Sequence, residues 1–160
     1  MAAEVLELDG LAVRIGAGQR LIGADLGAKT IGLALSDVER RIATPLETIR
    51  RTKFGKDAAR LVALMEQFDA AALVIGLPLN MDGSEGPRVQ AARAFARNFG
   101  PLSARPCVFW DERLSTTAVT RSLIAQDVSR AKRARSVDRM AAAFILQGAL
   151  DRLRRLGPAA

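Results

Sequence analysis

The sequence predicts an α/β domain on a mixed five-stranded sheet, an antiparallel meander followed by βα units, with helices on both faces. Three observations carry this expectation. The apolar segments LIGADLG and TIGLALSD are separated only by the few residues around Gly27, Ala28 and Lys29, which is hairpin spacing. The runs AALVIGLPL and PCVFWDE are continuously apolar, as expected of parallel strands covered on both sides. Ahead of the first of these runs, Leu61, Leu64, Met65 and Phe68 recur at helical spacing.

Residues 1–19 form a Gly- and Ala-containing lead-in of weak periodicity, expected to be partly ordered and to stand outside a single domain over residues 20–156. The hairpin begins at Leu21, and IATPLETIRR from Ile42 continues the meander as a third strand. KDAARLVALMEQF places Leu61, Leu64, Met65 and Phe68 on one helical face. AALVIGLPL, bounded by Gly76 and Pro78, is the fourth strand. A loop containing Asn80, Asp82, Gly83 and Gly86 leads into a helix over PRVQAARAFARNF, and PCVFWDE is the fifth strand. Ser115 is a candidate N-cap for a helix through Leu123 and Ile124. DVSRAKRAR reads as a basic loop, and Ser136 as the cap of a last helix, VDRMAAAFILQGALDRL, which ends before Gly157 and Pro158.

Composition narrows the chemistry. The chain of 160 residues suits one domain with a sizeable core, and 49% apolar residues suit a folded protein. It contains no histidine, which removes Ser-His-Asp and Cys-His nucleophile systems and the usual zinc sites. Catalysis must then rest on carboxylates, lysines, hydroxyls or hard metal ions held by oxygen. The single cysteine, Cys107, excludes an internal disulfide and reads as a small apolar strand residue. Lys and Arg number 24 against 17 Asp and Glu, a net charge of +7 that is compatible with a polyanionic partner. No run is long enough to span a bilayer, and MAAEVLELDG lacks a signal-peptide pattern. A cytoplasmic protein with no membrane partner, monomeric or homodimeric, is the expectation.

Acid placement gives the candidate site. Asp25 lies within the first strand amid Leu21, Ile22 and Leu26, where an unpaired carboxylate would be costly and requires a cation or strong donors. Asp111 and Glu112 end the PCVFWDE strand. Asp138 is expected in the first turn of the last helix. Strand ends are the usual ligand-binding edge of an open α/β sheet. If the strands of Asp25 and Glu112 lie side by side, these acids face one cleft that the last helix supplies with Asp138. Such a donor set suits one or two Mg²⁺ or Mn²⁺ ions, the arrangement of phosphodiester hydrolysis. The alternatives are structural: Asp138 as a favourable first-turn acid, Asp111 or Glu112 paired with Arg113, and Asp37 as a turn residue. Asp37 and Asp111 are kept as auxiliary acids.

The blocks IGADLGAKTIGLALSD, VIGLPLNMDGSEG, FWDERLSTTAV and SVDRMAAAFILQGALD, in this order, resemble the YqgF (RuvX) family of Holliday-junction-resolvase-like nucleases, relatives of ribonuclease H. The similarity spans Leu21 to about Leu153. It implies a ribonuclease-H-like fold, a metal-dependent nuclease activity and a role in maturing the 5′ end of precursor 16S ribosomal RNA. It also implies catalytic, metal-holding acids at Asp25, Glu112 and Asp138, the positions selected above on location.

Nucleic-acid contacts are expected from Lys29 beside the glycine turn, from Arg113, and from Arg130, Lys132, Arg133 and Arg135 ahead of Asp138. The structural alternative for Lys29 is a solvated hairpin lysine, and for the 80–86 loop, read as a phosphate cradle, a plain turn. Six Phe, one Trp and no Tyr leave little for base stacking, and Trp110 reads as core. The rivals are a resolvase of branched DNA, a non-catalytic RNA-binding assembly factor, and a nucleotide-binding module of the actin and sugar-kinase type, which DLGAKT resembles.

Overall fold

The computed structural model describes residues 5–114 and 130–156, with side chains described over 7–114 and 139–156. One sheet contains β1 (Val5–Leu6), β2 (Arg20–Leu26), β3 (Thr30–Ser36), β4 (Ala43–Arg50), β5 (Ala70–Leu77) and β6 (Cys107–Asp111). Their spatial order is β1-β6-β5-β2-β3-β4. The β2–β3 and β3–β4 pairs are antiparallel, whereas β2–β5, β5–β6 and β1–β6 are parallel. The expected meander followed by βα units is present.

The helices are α1 (Leu8–Ala12), α2 (Phe54–Gln67), α3 (Pro87–Phe99) and α4 (Arg130–Leu156). Alternation along the central strands sends side chains to two separate cores. Ile22, Ala24, Leu73 and Ile75 pack with Leu61, Leu64 and Met65 of α2 and with Val89, Phe95 and Phe99 of α3. Leu21, Ala72, Val74, Val108 and Trp110 pack on the opposite face with Leu8 and Leu11 of α1 and Ile145, Leu146, Ala149 and Leu150 of α4. Pro87 opens α3, where its missing N–H costs nothing. Asp57, 3% exposed, accepts from Thr52 N (3.2 Å) and so fixes the chain entering α2. A Cβ on Gly148 would stand 2.9 Å from the Trp110 ring, so glycine there lets α4 lie close over β6. No helix among the described residues is long and apolar enough to cross a membrane.

Three sequence expectations change, and one falls where nothing is described. The lead-in is not peripheral: Val5–Leu6 pairs with Cys107–Val108 as a sixth strand, and Leu8 and Leu11 are buried against the α4 side of the sheet. Its alternation is too short to register as a strand, so tertiary pairing decides it. Second, α4 begins at Arg130, so the basic run 130–135 is helical and not a loop. Arg, Lys and Ala are good helix formers, and this propensity outweighs the capping signal of Ser136. Asp138 is consequently outside the first turn, which contains no acid. Third, β2 and β6 are not neighbours, because β5 lies between them. Finally, the helix expected after Ser115 lies outside the described residues.

Candidate active site

Asp25 is the second-last residue of β2 and is 5% exposed. Its antiparallel partner on β3 is Gly32. On the other side, the β2–β5 register runs through Ala24 and Ile75, so Gly76 lies one step further along β5, level with Asp25. Both strands flanking Asp25 therefore carry no side chain beside it.

Gly76 explains how Glu112 takes part although β5 intervenes. A Cβ at position 76 would stand 2.5 Å from Ile145 Cδ1 and 2.9 Å from Glu112 Oε2. The Glu112 carboxylate thus occupies the space that a β5 side chain would fill. It lies over the strand next to Asp25, about one strand spacing, ~4.8 Å, from β2. Glu112 itself starts a short 3-10 turn, Glu112–Leu114, at the end of β6, and is 6% exposed. Two buried carboxylates are thereby brought together on the α4 face, at the C-terminal edge of the parallel strands.

Such burial is costly without cationic compensation. Arg88, in the first turn of α3, brings Nη2 to 3.7 Å from Asp25 Oδ1. Sequence reading did not select Arg88. The available signal was a cation in the first turn of a helix, where the helix dipole does not favour it. Position 138 falls one helical turn before Ala142, whose carbonyl lies 3.1 Å from where a Gly23 Cβ would be. The side chain of Asp138, like those of Arg130, Lys132, Arg133 and Arg135, lies outside the described residues. Among the described residues no three potential ligands converge on one point. The all-oxygen pair of Asp25 and Glu112, with Gly76 leaving room between strands, nonetheless fits a hard divalent ion.

The other candidates fall into structural or peripheral places. Asp111 takes Arg113 Nε and Nη2 at 3.1 and 2.7 Å, and Arg113 Nη1 donates to the Met81 carbonyl at 3.3 Å. This clamp ties the 80–86 loop to the end of β6. The Arg113 guanidinium holds the Asp111 carboxyl below its ordinary pKa range. Within the loop, the N–H groups of Asn80, Gly83 and Ser84 are consumed by Ser84 O, Asn80 O and Asp82 Oδ1. Gly83 has φ +87°, which favours glycine. The loop is thus built as a turn. Asp37 follows β3, near the start of β2, and its Oδ1 accepts from Arg41 N (2.8 Å) and Ile42 N (3.0 Å). Those backbone donors lower its pKa, and the structure does not bring it to Asp25. Lys29 is exposed in the β2–β3 turn, close in sequence to Asp25.

A mixed sheet of this order, with buried acids at the strand ends, defines a ribonuclease-H-like domain. The fold resembles that of Thermus thermophilus RuvC, with a TM-score of 0.55 and 16% identity over 85% of this chain and 97% of that one. The yeast mitochondrial Holliday junction resolvase Ydc2 gives a TM-score of 0.53 at 13% identity over 93% and 85% of the two chains. A family model described as RuvX, Holliday junction resolvase, matches residues 19–152, and the chain belongs to this family. Relatives from Methylocella silvestris (73% identical, covering 98% of this chain and 97% of the relative) and Rhizobium rhizogenes (59%, covering 95% and 93%) carry the name "Putative pre-16S rRNA nuclease".

Proposed function

We propose that this chain is a hydrolase that cuts phosphodiester bonds at the 5′ end of precursor 16S ribosomal RNA, with Asp25, Glu112 and Asp138 holding Mg²⁺ or Mn²⁺. The observation that carries the reading is the glycine-cleared approach of two buried carboxylates, Glu112 over Gly76 beside Asp25. The name of the 73%-identical relative supports the substrate, and the family supports the reaction class. A divalent ion in such a site polarises a phosphoryl oxygen and lowers the pKa of water.

The chain's own residues supply the rest. Asp25 and Glu112 concentrate negative charge at a rigid strand edge, where few rotamers are open to them. Gly32 and Gly76 put no side chain of their own beside Asp25, and over Gly76 the space is taken by the Glu112 carboxylate and Ile145. Arg88, 3.7 Å from Asp25, has a planar fork suited to phosphate oxygens once the carboxylate charge is balanced by a metal. Histidine plays no part, since the chain has none.

The test is cleavage of a 5′-extended 16S precursor fragment with Mg²⁺ or Mn²⁺, comparing wild type with Asp25→Asn and Asp138→Asn. Both variants are expected to lose cleavage while retaining their circular dichroism spectra and most of their RNA affinity. Equal activity in Asp25→Asn would overturn the site. Cutting of a four-way DNA junction in preference to the RNA would overturn the substrate. Wild-type protein that binds the RNA but never cleaves it would overturn the enzymatic reading. Protection against heat by adenosine nucleotides but not by RNA would favour the nucleotide-binding rival.

A further inference from the structure

Beyond the acids, one group of exposed cations without acid partners among the described residues lies at the same sheet edge as Asp25. Several basic side chains are paired with acids: Arg41 with Glu39, Arg60 with Glu47, Arg93 with Glu85, Arg105 with Asp69, Arg154 with Asp151. Arg50, Lys53 and Lys56 are exposed, and none of them has an acid partner among the described residues. The nearest acids in sequence are already engaged: Glu47 pairs with Arg60, and Asp57 is buried and accepts from Thr52.

Backbone pairing connects this group to the site. Arg50 ends β4 opposite Thr30, the first residue of β3, and Arg51 N donates to Lys29 O at 2.9 Å. The exit of β4 is thus held against the hairpin turn that follows Asp25. Pairing also fixes the face: Asp25 opposes Gly32, Gly32 opposes Thr48, and Arg50 lies two residues beyond Thr48. Arg50 therefore projects from the same sheet face as Asp25, at the same edge. Lys53 and Lys56 follow where the chain enters α2. Cations at a helix N-terminus are disfavoured by the helix dipole, so fold stability does not account for them. Arg51 differs from its neighbours: Nη1 donates to Gly27 O at 2.7 Å, and the guanidinium lies 6.0 Å from the Phe95 ring centre. It is structural.

The geometry points to Arg50, Lys53 and Lys56, joined to the site through Lys29, as the track that holds the RNA backbone on the β4 side of the scissile phosphate. This inference rests on the nuclease reading. Exposed cations without acid partners among the described residues suit a flexible polyanion, since each phosphate contact releases counterions. The scarcity of exposed aromatics agrees with a track that reads backbone and not bases.

The test compares Arg50→Gln/Lys53→Gln/Lys56→Gln with a control of equal charge, Arg97→Gln/Arg152→Gln/Arg155→Gln, also exposed and without acid partners among the described residues. Binding of a fluorescently labelled 16S precursor fragment is read by anisotropy across a salt series. The track variant should bind at least about tenfold more weakly at low salt, with a log–log salt slope flatter by roughly 2, as for three lost phosphate contacts. The control should keep the wild-type slope. Equal slopes for the two variants would overturn the track while leaving the acids untouched. Anisotropy needs no cleavage, so a failure of Asp25 as a catalytic acid would show separately, as undiminished cutting by Asp25→Asn.

Discussion

A Cβ at position 76 would stand 2.9 Å from Glu112 Oε2 and 2.5 Å from Ile145 Cδ1. Gly76→Ala must therefore displace the acid, shift the helix, or both. We expect a loss of about 1–3 kcal/mol in stability from overpacking, read by urea denaturation, and a larger proportional loss of cleavage than Asp111→Asn. Unchanged cleavage would mean that the placement of Glu112 over β5 is incidental. Asp37 offers a contrasting case, since its lowered pKa arises from the backbone donors of Ile42 and Arg41. A depressed carboxyl pKa stabilises the fold above the unfolded value and ceases to do so as pH falls through the folded one. Asp37→Ala should be less stable than wild type at neutral pH, and the gap should close on acidification below the ordinary carboxylate range. Thermal melts at stepped pH would show this, and cleavage should be little affected because Asp37 lies away from Asp25.

At the scale of elements, the first residues are more than a lead-in. β1 adds to the sheet edge at β6, and α1 buries Leu11 to 1% exposure. Leu11→Ala should cost about 2–5 kcal/mol, the range for emptying a buried leucine site, measured by chemical denaturation. A change within error would place α1 outside the cooperative unit. α4 is the other element whose role changed: one continuous helix carries both the basic run from Arg130 and the residues that cover β2 to β5. A helix places residues on a stiff lattice, which a loop does not. Neutralising Arg130, Lys132, Arg133 and Arg135 together should weaken RNA binding and flatten its salt dependence, and an unchanged slope would remove this segment from the interface.

For the molecule as a whole, Cys107 reports on cooperativity. It lies on β6 in the middle of the α2–α3 core at 1% exposure, and burial pushes its thiol pKa up to about 12. The thiolate is the reactive form, so the folded protein should resist an aromatic disulfide reagent at pH 8. Labelling should then follow global unfolding, accelerating in parallel with the loss of helical signal as urea rises. Rapid labelling in native buffer would show that the β6 side of the sheet opens independently.

The sequence by itself determined the parts that depend on local pattern and elimination. Apolar continuity marked β5 and β6, hairpin spacing marked β2 and β3, and the missing histidines confined the chemistry to oxygen ligands. A strand aspartate among apolar neighbours marked Asp25, because so costly a burial needs a reason. Tertiary structure decided what depends on neighbours distant in sequence. It inserted β5 between the strands of the two acids and used Gly76 to let Glu112 cross that gap, a role no local signal in VIGLPL reveals. It gave Arg113 to Asp111, Arg88 to Asp25, and a sixth strand to two residues too few to announce one. Periodicity reports which face of an element is buried; only packing reports what that face meets.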